Sequence, residues 1–303
     1  YFQMRKYKYE LWKQTALASQ EFILQDLINT AQYTEFGREY HFEDILDYHD
    51  FVQKVPVSSY NNIYPYIEKM MQGECDILWP GLVHFFSKSS GTTNDSSKYI
   101  PVSHDSLFKN NYSAGKDIYT IFFTNYPDSN LVSDKGSALS LGGSISALDE
   151  KGIQIGDVSA IIISQIPKWA EEYRQPSREV ALMEKWSEKI PAILDDIQGK
   201  NITSLSGVPT WFVSLFDAYL LKNPDKKILD LFPNMELFVH GAVAFEPYRK
   251  IFEKFFPQKN MKYLEVYNAT EGFFAIQDDP DKKGEMLLLT DHGIFYEFIP
   301  LSF

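Results

Sequence analysis

The pattern that most restricts the fold of this chain lies between residues 235 and 267. Two short runs of β-forming residues, 235–239 and 263–267, flank a helical segment around residues 247–255. A strand, a helix and a second strand at this spacing are typical of a βαβ unit, in which both strands lie parallel in one sheet. The sequence therefore predicts an α/β protein, with sheets built from βαβ units and flanked by helices.

The size and charge of the chain narrow the classes of protein to which it can belong. Its 303 residues correspond to about two domains, or to one large α/β unit, at roughly 150 residues per domain. The composition, 44% hydrophobic and 16% aromatic, excludes wholesale disorder. The formal charge of −12 argues against a broad nucleic-acid-binding face, although it leaves room for a local basic site that binds a phosphorylated ligand.

Cysteine content and hydropathy favour a cytoplasmic protein. Cys75 is the single cysteine, so the chain forms no internal disulfide and offers no cysteine pair for a metal. No apolar run approaches the roughly 20 residues that span a bilayer. The segment Tyr1-Phe2-Gln3 before Met4 is typical of a tag remnant. We therefore assign residues 1–3 to a tag and residues 4–303 to one large domain, incomplete at its C-terminal end.

Hydrophobic periodicity and turn residues predict further elements along the chain. Helices are predicted over the first forty residues, with Gly37 as a stop, at 65–71 with Pro65 in the first turn, twice between 177 and 197, and at 211–221. Strands are predicted at 83–86, 99–102, 139–141 and 160–163, with a hairpin over 286–299 around Asp291-His292-Gly293.

A polar loop stands between two of the predicted strands. It comprises Ser89-Ser90-Gly91-Thr92-Thr93-Asn94-Asp95-Ser96-Ser97-Lys98. Hydroxyl and backbone N–H groups at this density can surround oligophosphate oxygens, and Lys98 adds a full positive charge. The loop is not a Walker A motif, because no Gly-Lys-Ser/Thr closes it and a strand follows it. A surface turn rich in Ser and Asn has the same composition, so the loop alone does not decide between the two.

Two further segments follow the strands of the βαβ unit. Tyr267-Asn268-Ala269-Thr270-Glu271-Gly272 follows the second strand, at the carboxyl edge where α/β folds collect ligand groups. Here Thr270 suits a phosphate oxygen and Glu271 suits Mg²⁺, unless the segment is a strand end with a capping threonine. His240-Gly241-Ala242-Val243 follows the first strand, where a turn of small residues lets a flat base lie against the backbone.

In this order the three segments resemble the adenylate-forming superfamily, with its Ser/Thr/Gly phosphate loop ending in Lys and its Tyr-Gly-x-Thr-Glu signature. More closely, the chain resembles the Gretchen Hagen (auxin-responsive) family of acyl acid amido synthetases, over residues 50–300. The matching segments are VPV at 55–57, YI at 66–67, ILWPG at 77–81, KSSGTT at 88–93, ITSLSGVPTW at 202–211, ELFVHG at 236–241, EVYNATEGFF at 265–274 and HGIFYEFIP at 292–300.

The resemblance implies a two-step reaction that uses ATP and Mg²⁺. A carboxylic acid attacks the α-phosphate of ATP to give an acyl-adenylate and pyrophosphate, and an amine, commonly an amino acid, then displaces AMP. No protein nucleophile, nucleic acid or membrane is implied. Two alternatives stay open at this point. One is an adenylate-forming enzyme that passes the acyl group to a thiol such as coenzyme A, and the other is a nucleotide-binding protein of the same fold without turnover.

Carried over residue by residue, the resemblance implies a site. The expected phosphate-binding residues are Ser89, Ser90, Gly91, Thr92, Thr93 and Lys98. Thr270 is expected at the α-phosphate and Glu271 at the Mg²⁺, and together with Lys98 they form the expected catalytic set. The expected adenine-binding residues are Gly241, Ala242, Val243, Tyr267, Asn268 and Ala269. The acyl pocket is expected at Val208, Trp211 and His240, each of which also suits a purely structural role.

The sequence departs from the family pattern in two places. Asp95 stands where the phosphate loop often carries a second glycine, and a carboxylate beside a triphosphate is unfavourable. Family members also continue beyond Pro300, with a ribose-binding aspartate and a mobile C-terminal lid domain that this sequence does not contain. We therefore expect the fold of the large N-terminal domain of an adenylate-forming enzyme, without its lid.

Overall fold

Two β-sheets with helices on their faces make up the protein, for which we describe a computed structural model. The structure describes residues 2–89, 97–148, 151–258 and 261–300, with the backbone alone at residues 2, 3, 147 and 148. The strands are β1 (Phe85–Ser89), β2 (Lys98–Val102), β3 (Ser137–Ser140), β4 (Ile145–Leu148), β5 (Gln154–Gly156), β6 (Arg174–Gln175), β7 (Ile202–Gly207), β8 (Leu237–His240), β9 (Lys262–Ala269), β10 (Gly272–Ile276) and β11 (Leu287–Leu288).

Helices precede, separate and cover these strands. They are α1 (Phe2–Gln14), α2 (Ala16–Ala31), α3 (Glu35–Glu39), α4 (Tyr48–Lys54), α5 (Tyr60–Met71), α6 (Tyr112–Asn125), α7 (Val158–Ser164), α8 (Lys168–Glu171), α9 (Arg178–Ala181), α10 (Trp186–Asp196), α11 (Pro209–Lys222), α12 (Ile228–Leu231) and α13 (Glu246–Phe255). Short 3₁₀ turns occupy Phe42–Asp44 and Ser133–Lys135, and a π-helical turn at Ser106–Asn111 leads into α6. No helix in the described ranges has the length and hydropathy of a membrane span.

The larger sheet has seven strands in the order β11-β10-β9-β8-β7-β3-β6. The strands from β6 to β9 run parallel, while β10 and β11 add an antiparallel edge. The predicted βαβ unit is confirmed as β8, α13 and β9, since Leu237 of β8 pairs in parallel with Lys262 of β9. Pro247 lies in the first turn of α13 without losing a hydrogen bond, because the first helical N–H groups have no partner within a helix.

The two faces of this sheet are covered by different apolar clusters. Alternate residues of a strand point to opposite faces. Accordingly, Leu237 and Val239 pack in the cluster that includes residues of α1 and α6, while Phe238 packs in an aromatic cluster with Phe212 of α11 and Phe252 of α13. Both faces of β8 are therefore buried, as expected for a central parallel strand.

The smaller sheet has the order β2-β1-β5-β4. Its strands β1 and β2 form an antiparallel pair in which Ser89 lies opposite Lys98. The two predicted strands on either side of the polar loop are thereby confirmed, while residues 90–96 of the loop lie outside the described residues.

Four predictions at the level of elements were wrong. Residues 160–163, predicted as a strand, lie in helix α7, because a short apolar run that is buried on all sides does not distinguish the two. Gly37, predicted to end a helix, lies inside α3. A Cβ atom there would stand 2.1 Å from the carbonyl oxygen of Ala31, so glycine is needed for the close approach of α3 to the end of α2.

The predicted hairpin over residues 286–299 is also absent from the described residues. β11 pairs instead with β10, and residues 294–300 form no strand. The side chain of Gln20, on α2, donates to the carbonyl oxygens of Thr290 (2.8 Å) and Ile294 (3.0 Å), and accepts from the N–H of Tyr296 (2.8 Å). These bonds satisfy backbone groups that a hairpin partner would otherwise take. Pro65, predicted in a first turn, lies within α5, which begins earlier, at Tyr60.

Candidate functional site

The ends of three parallel strands bring the segments singled out by the sequence to one edge of the larger sheet. Gly207 of β7 lies opposite His240 of β8, and His240 lies opposite Glu265 of β9. The residues that follow these positions therefore lie side by side at the carboxyl edge. Open α/β sheets bind ligands outside the carboxyl ends of their strands, so this edge is the candidate site.

The loop after β8 lies tightly against β9. A Cβ atom at Gly241 would stand 2.5 Å from the carbonyl oxygen of Val266, so no side chain can be placed there. Ala242 adopts a left-handed conformation, with φ of 68°. Val243 is 39% exposed. The predicted adenine-binding residues of this loop thus combine a backbone packed closely on β9 with an exposed apolar side chain.

The Thr270–Glu271 segment is a two-residue turn between antiparallel strands. Tyr267, Asn268 and Ala269, predicted to follow a strand, are the last three residues of β9, and Ala269 pairs with Gly272 of β10. Tyr267 is 54% exposed. Glu271 is exposed and forms no ion pair with the described residues, and Thr270 is half-buried. The buried Oδ1 atom of Asn268 has no hydrogen-bond partner among the described residues.

The ends of the polar loop are held by the β1–β2 pair. Lys98 is exposed, and its Nζ atom lies 5.3 Å from the ring centroid of Tyr60. The hydroxyl oxygen of Tyr60 in turn accepts from the N–H of Tyr99 at 2.8 Å. The pairing of the two strands therefore fixes the positions of Ser89 and Lys98 at the two ends of the loop. The other predicted phosphate-binding residues lie outside the described residues, and so does Asp95. They are Ser90, Gly91, Thr92 and Thr93.

A pocket of about 350 Å³ is lined by residues of β8, of β9 and of the first turn of α13. His240 is 3% exposed and lines it, and its ring stacks on Phe245 at 4.1 Å between centroids. Burial, together with the positive charge of Arg249, lowers the pKa of His240 to about 3, so the imidazole is neutral near pH 7. Its Nδ1 atom and the hydroxyl of Tyr263 in the same wall lack hydrogen-bond partners among the described residues.

Of the predicted acyl-pocket residues, the structure brings two to the same edge. Val208 follows Gly207 and is therefore next to His240 across the sheet. Trp211 is half-buried against Trp186 of α10, with 5.4 Å between the ring centroids, and packs on the aromatic cluster around Phe212. The neutral His240 can exchange a hydrogen bond with a ligand but cannot act as a cation toward a carboxylate.

The end of β3 at this edge is braced by a lysine that the sequence analysis did not single out. The Nζ atom of Lys189, 1% exposed on α10, donates to the carbonyl oxygens of Gly142 (2.8 Å) and Gly143 (2.9 Å). Burial lowers the pKa of this ammonium group to about 8, although the charge of Asp157 opposes the shift. The Oδ2 atom of Asp157 accepts from the N–H of Ser144 on the same loop.

Sequence reasoning also missed several residues around the pocket. The guanidinium of Arg249 lies 5.1 Å from the ring centroid of Phe245 and is paired with Glu246 at 2.8 Å. Tyr263 and Glu265 face the same pocket from β9. Their alternation along the strand with Tyr267 was a usable signal, because residues two apart share one face.

Comparisons with known proteins identify the family of the chain. The N-terminal domain model of the GH3 family matches residues 5–261. An indole-3-acetic acid-amido synthetase from Arabidopsis thaliana, GH3.2, is 29% identical over 89 residues, which are 29% of this chain and 16% of that protein.

Solved structures share the fold. The AtGH3.15 acyl acid amido synthetase in complex with 2,4-DB superposes with a TM-score of 0.71 at 14% identity, covering 91% of this chain and 57% of the other. A 2-hydroxyisobutyryl-CoA ligase in complex with 2-HIB-AMP and CoA gives a TM-score of 0.52 at 12% identity, over 87% and 51% of the two chains. The present chain thus spans less than two thirds of the length of each of these relatives. Because the family model covers most of its residues, the chain belongs to the GH3 family.

Proposed function

We propose that this chain carries the nucleotide- and acid-binding part of an ATP-dependent acyl acid amido synthetase. The observation that supports this most directly is the close approach of Gly241 to Val266 on β9, the strand that leads to the Thr270–Glu271 turn. The loop after β8 therefore packs on the same strand that carries the exposed carboxylate of Glu271 at its end. Membership of the GH3 family supports the same conclusion.

The base of the nucleotide would lie between the loop after β8 and the end of β9. Val243 and Tyr267 expose apolar surface at these two positions, and the lack of a side chain at Gly241 lets the loop pack closely against β9. The phosphates would then extend toward Thr270 and the polar loop, whose two ends are Ser89 and Lys98. A hydroxyl, backbone N–H groups and an ammonium group suit an oligophosphate, because each donates a hydrogen bond to an anionic oxygen.

The residues at the turn suit a divalent cation. Glu271 offers an exposed carboxylate without an ionic partner among the described residues. Mg²⁺ prefers such oxygen ligands and usually binds through one or two of them together with phosphate oxygens. When bound, the ion would neutralise charge that builds up on the phosphates.

The proposed reaction needs no protein nucleophile. A carboxylate oxygen of the acid attacks the α-phosphorus of ATP, the bond from that phosphorus to the bridging oxygen breaks, and pyrophosphate leaves with the electron pair. The nitrogen of an amine then attacks the acyl carbon, AMP leaves, and the nitrogen loses a proton. Thr270 and Lys98 stabilise phosphate charge in the first step by fixed hydrogen bonds. The acid lies near Val208, Trp211 and the neutral His240.

The first test is ATP–pyrophosphate exchange by the full-length protein with a panel of aryl, indolyl and fatty carboxylic acids. We expect exchange that depends on the acid, because adenylation is reversible. Product analysis with an amino acid or coenzyme A then decides between an amine and a thiol acceptor. ATP binding without exchange for any acid would instead favour a nucleotide-binding protein without turnover. Absence of ATP binding would refute the proposal.

Variants test the assigned residues. We expect Glu271→Gln and Lys98→Ala each to slow exchange by about 100-fold, a size typical of a lost charge-stabilising contact. Lys88→Ala is the matched control, since Lys88 is an exposed lysine on the strand that enters the same loop. A loss with Glu271→Gln alone would keep the metal role and remove the role of Lys98. Unchanged Mg²⁺-dependent ATP binding in both variants would show that the site is wrong.

A further inference from the structure

A buried asparagine lies on an unusual helical turn beside the candidate site. Asn110 belongs to the π-helical turn at Ser106–Asn111, in which the N–H of Tyr112 donates to the carbonyl oxygen of Leu107, five residues earlier. Single π-turns within helices are frequent at functional sites, because the extra residue changes the direction of the side chains. Asn110 is 2% exposed.

The side chain of Asn110 makes three hydrogen bonds to backbone groups far away in the sequence. Its Oδ1 atom accepts from the N–H of Phe273 at 2.7 Å, and its Nδ2 atom donates to the carbonyl oxygen of Phe273 at 2.9 Å. The same Nδ2 atom donates to the carbonyl oxygen of His292 at 3.2 Å. One amide thus offers Phe273 both an acceptor and a donor, as a neighbouring β-strand would.

Phe273 lies where the sheet leaves β10 without a full partner. The edge strand β11 pairs with β10 only at Ala275 and Ile276, and the register between β9 and β10 shifts between Phe273 and Ala275. The asparagine amide continues the pairing beyond the end of β11. The neighbouring Gly272 has no room for a side chain. A Cβ atom there would stand 2.7 Å from Cδ1 of Ile294 and 3.4 Å from Oδ1 of Asn110.

This contact determines the position of the Thr270–Glu271 turn. β9 holds the turn on its N-terminal side, and Asn110 holds the backbone two residues after Glu271 on the other side. We infer that Asn110 is a positioning residue, which fixes the turn so that Thr270 and Glu271 meet the α-phosphate and Mg²⁺ of the nucleotide. The inference rests on the proposed function of that turn. Groups that bind charge in a reaction must be held to within a fraction of an ångström by the residues around them, so such a brace has a direct effect on the site.

The test compares two neighbouring asparagines in the full-length protein. Asn110→Asp replaces the Nδ2 donor by an oxygen that faces the carbonyl groups of Phe273 and His292. Asn111→Asp is the matched control, because Asn111 is 7% exposed on the same turn but donates to Ser106 within it. Asn110→Ala, which removes the amide without adding a charge, serves if the aspartate variant does not fold.

Two measurements decide the outcome. Amide hydrogen exchange at residues 271–274 should become about tenfold faster in the Asn110 variants, and the KM for MgATP in pyrophosphate exchange should rise about tenfold, the effect of one or two lost hydrogen bonds. In the Asn110 variants the KM for the acid should change less than about twofold. In Asn111→Asp the hydrogen-exchange rate and the KM for MgATP should also change less than about twofold. A general loss of packing would instead affect the Asn110 and Asn111 variants alike, and it would change the KM for MgATP and the KM for the acid by similar factors.

Unchanged hydrogen exchange and MgATP KM in the Asn110 variants would overturn the inference, and so would equal changes in Asn111→Asp. If the parent protein binds no MgATP, the proposed function fails, and hydrogen exchange alone then decides whether Asn110 holds the turn. The two proposals can therefore fail separately.

Discussion

At the scale of single residues, His240 shows how burial determines the charge of a group in the candidate site. Its side chain stacks on Phe245 and lies near Arg249, and both burial and that positive charge disfavour the imidazolium form. The pKa falls from an ordinary value of 6.5 to about 3. Between these values the unfolded chain binds a proton that the folded protein does not, so the free energy of unfolding decreases as the pH falls.

We predict that replacing His240 weakens the acid sensitivity of the fold. Between pH 7 and pH 5 the parent should lose about 2 kcal/mol of unfolding free energy through this histidine, since each pKa unit corresponds to about 1.4 kcal/mol. Urea unfolding at both pH values should show that His240→Gln loses less unfolding free energy than the parent, and that the difference equals this contribution. The exposed His84 provides the control His84→Gln, which should keep the loss of the parent. Equal losses in all three proteins would contradict the buried, neutral state of His240.

At the scale of elements, the loop after β8 depends on a position without a side chain. The Cα atom of Gly241 faces the carbonyl oxygen of Val266, and an added Cβ atom at 2.5 Å would force the loop away from β9. The backbone carbonyl of Val266 cannot move aside as the end of a flexible side chain can. The surface between the two strands that we assign to the nucleotide base would then open.

We predict that Gly241→Ala weakens ATP binding by tenfold or more, about the effect of an ångström-scale misplacement in a site. The control is Gly115→Ala in α6, where an added Cβ atom meets nothing within 4 Å. This control should raise the free energy of unfolding by about 0.5–1 kcal/mol, because alanine favours a helix over glycine. Calorimetric titration with ATP and urea unfolding measure the two effects. ATP affinity that is equal in Gly241→Ala and the parent would show that the loop does not contact the nucleotide.

Elements with local signals could be predicted from the sequence, and those that depend on distant partners could not. The unit of β8, α13 and β9 carries its own periodicity and turn residues, so its type and order were confirmed. Residues 160–163 carry only an apolar run, which suits a buried helix as well as a strand. Residues 294–300 stay outside the sheet because Gln20, from the other end of the chain, binds their backbone.

The same reasoning applies to the candidate site. The motifs at Gly241 and at Thr270 are each a continuous run of residues that follows a strand. Because the two strands were predicted to be parallel neighbours, the sequence predicted that both motifs lie at the same edge of the sheet. Asn110 carries no motif, and its role depends on contacts with Phe273, 163 residues away. Arg249 was missed for a partly similar reason, since its contact with Phe245 is local to α13 but its contact with Tyr263 comes from β9. A single sequence gives no signal for such pairs.

At the scale of the whole molecule, a buried polar network joins three distant parts of the chain. The guanidinium of Arg5 on α1 lies 2.6 Å from one carboxylate oxygen of Asp117 on α6, and Nε2 of His292 lies 2.7 Å from the other. The side chains of Asp117 and His292 are 3% and 2% exposed. The ring of Trp12 packs edge-on against His292. Through the bond from Asn110 to the carbonyl oxygen of His292, this network continues to the residues that hold the Thr270–Glu271 turn.

We predict that Asp117→Ala lowers the free energy of unfolding by about 3–5 kcal/mol, because it leaves a largely buried guanidinium and a buried imidazole without their shared acceptor. Asp26→Ala is the control. Asp26 pairs with Lys109 at 2.9 Å, but both side chains are more than 40% exposed, and such pairs contribute about 0–1 kcal/mol. Urea unfolding of both variants measures the difference. A loss in Asp117→Ala no greater than in Asp26→Ala would mean that α1 is held instead by the apolar contacts of Tyr9 and Trp12 and by the pairing with Asp278.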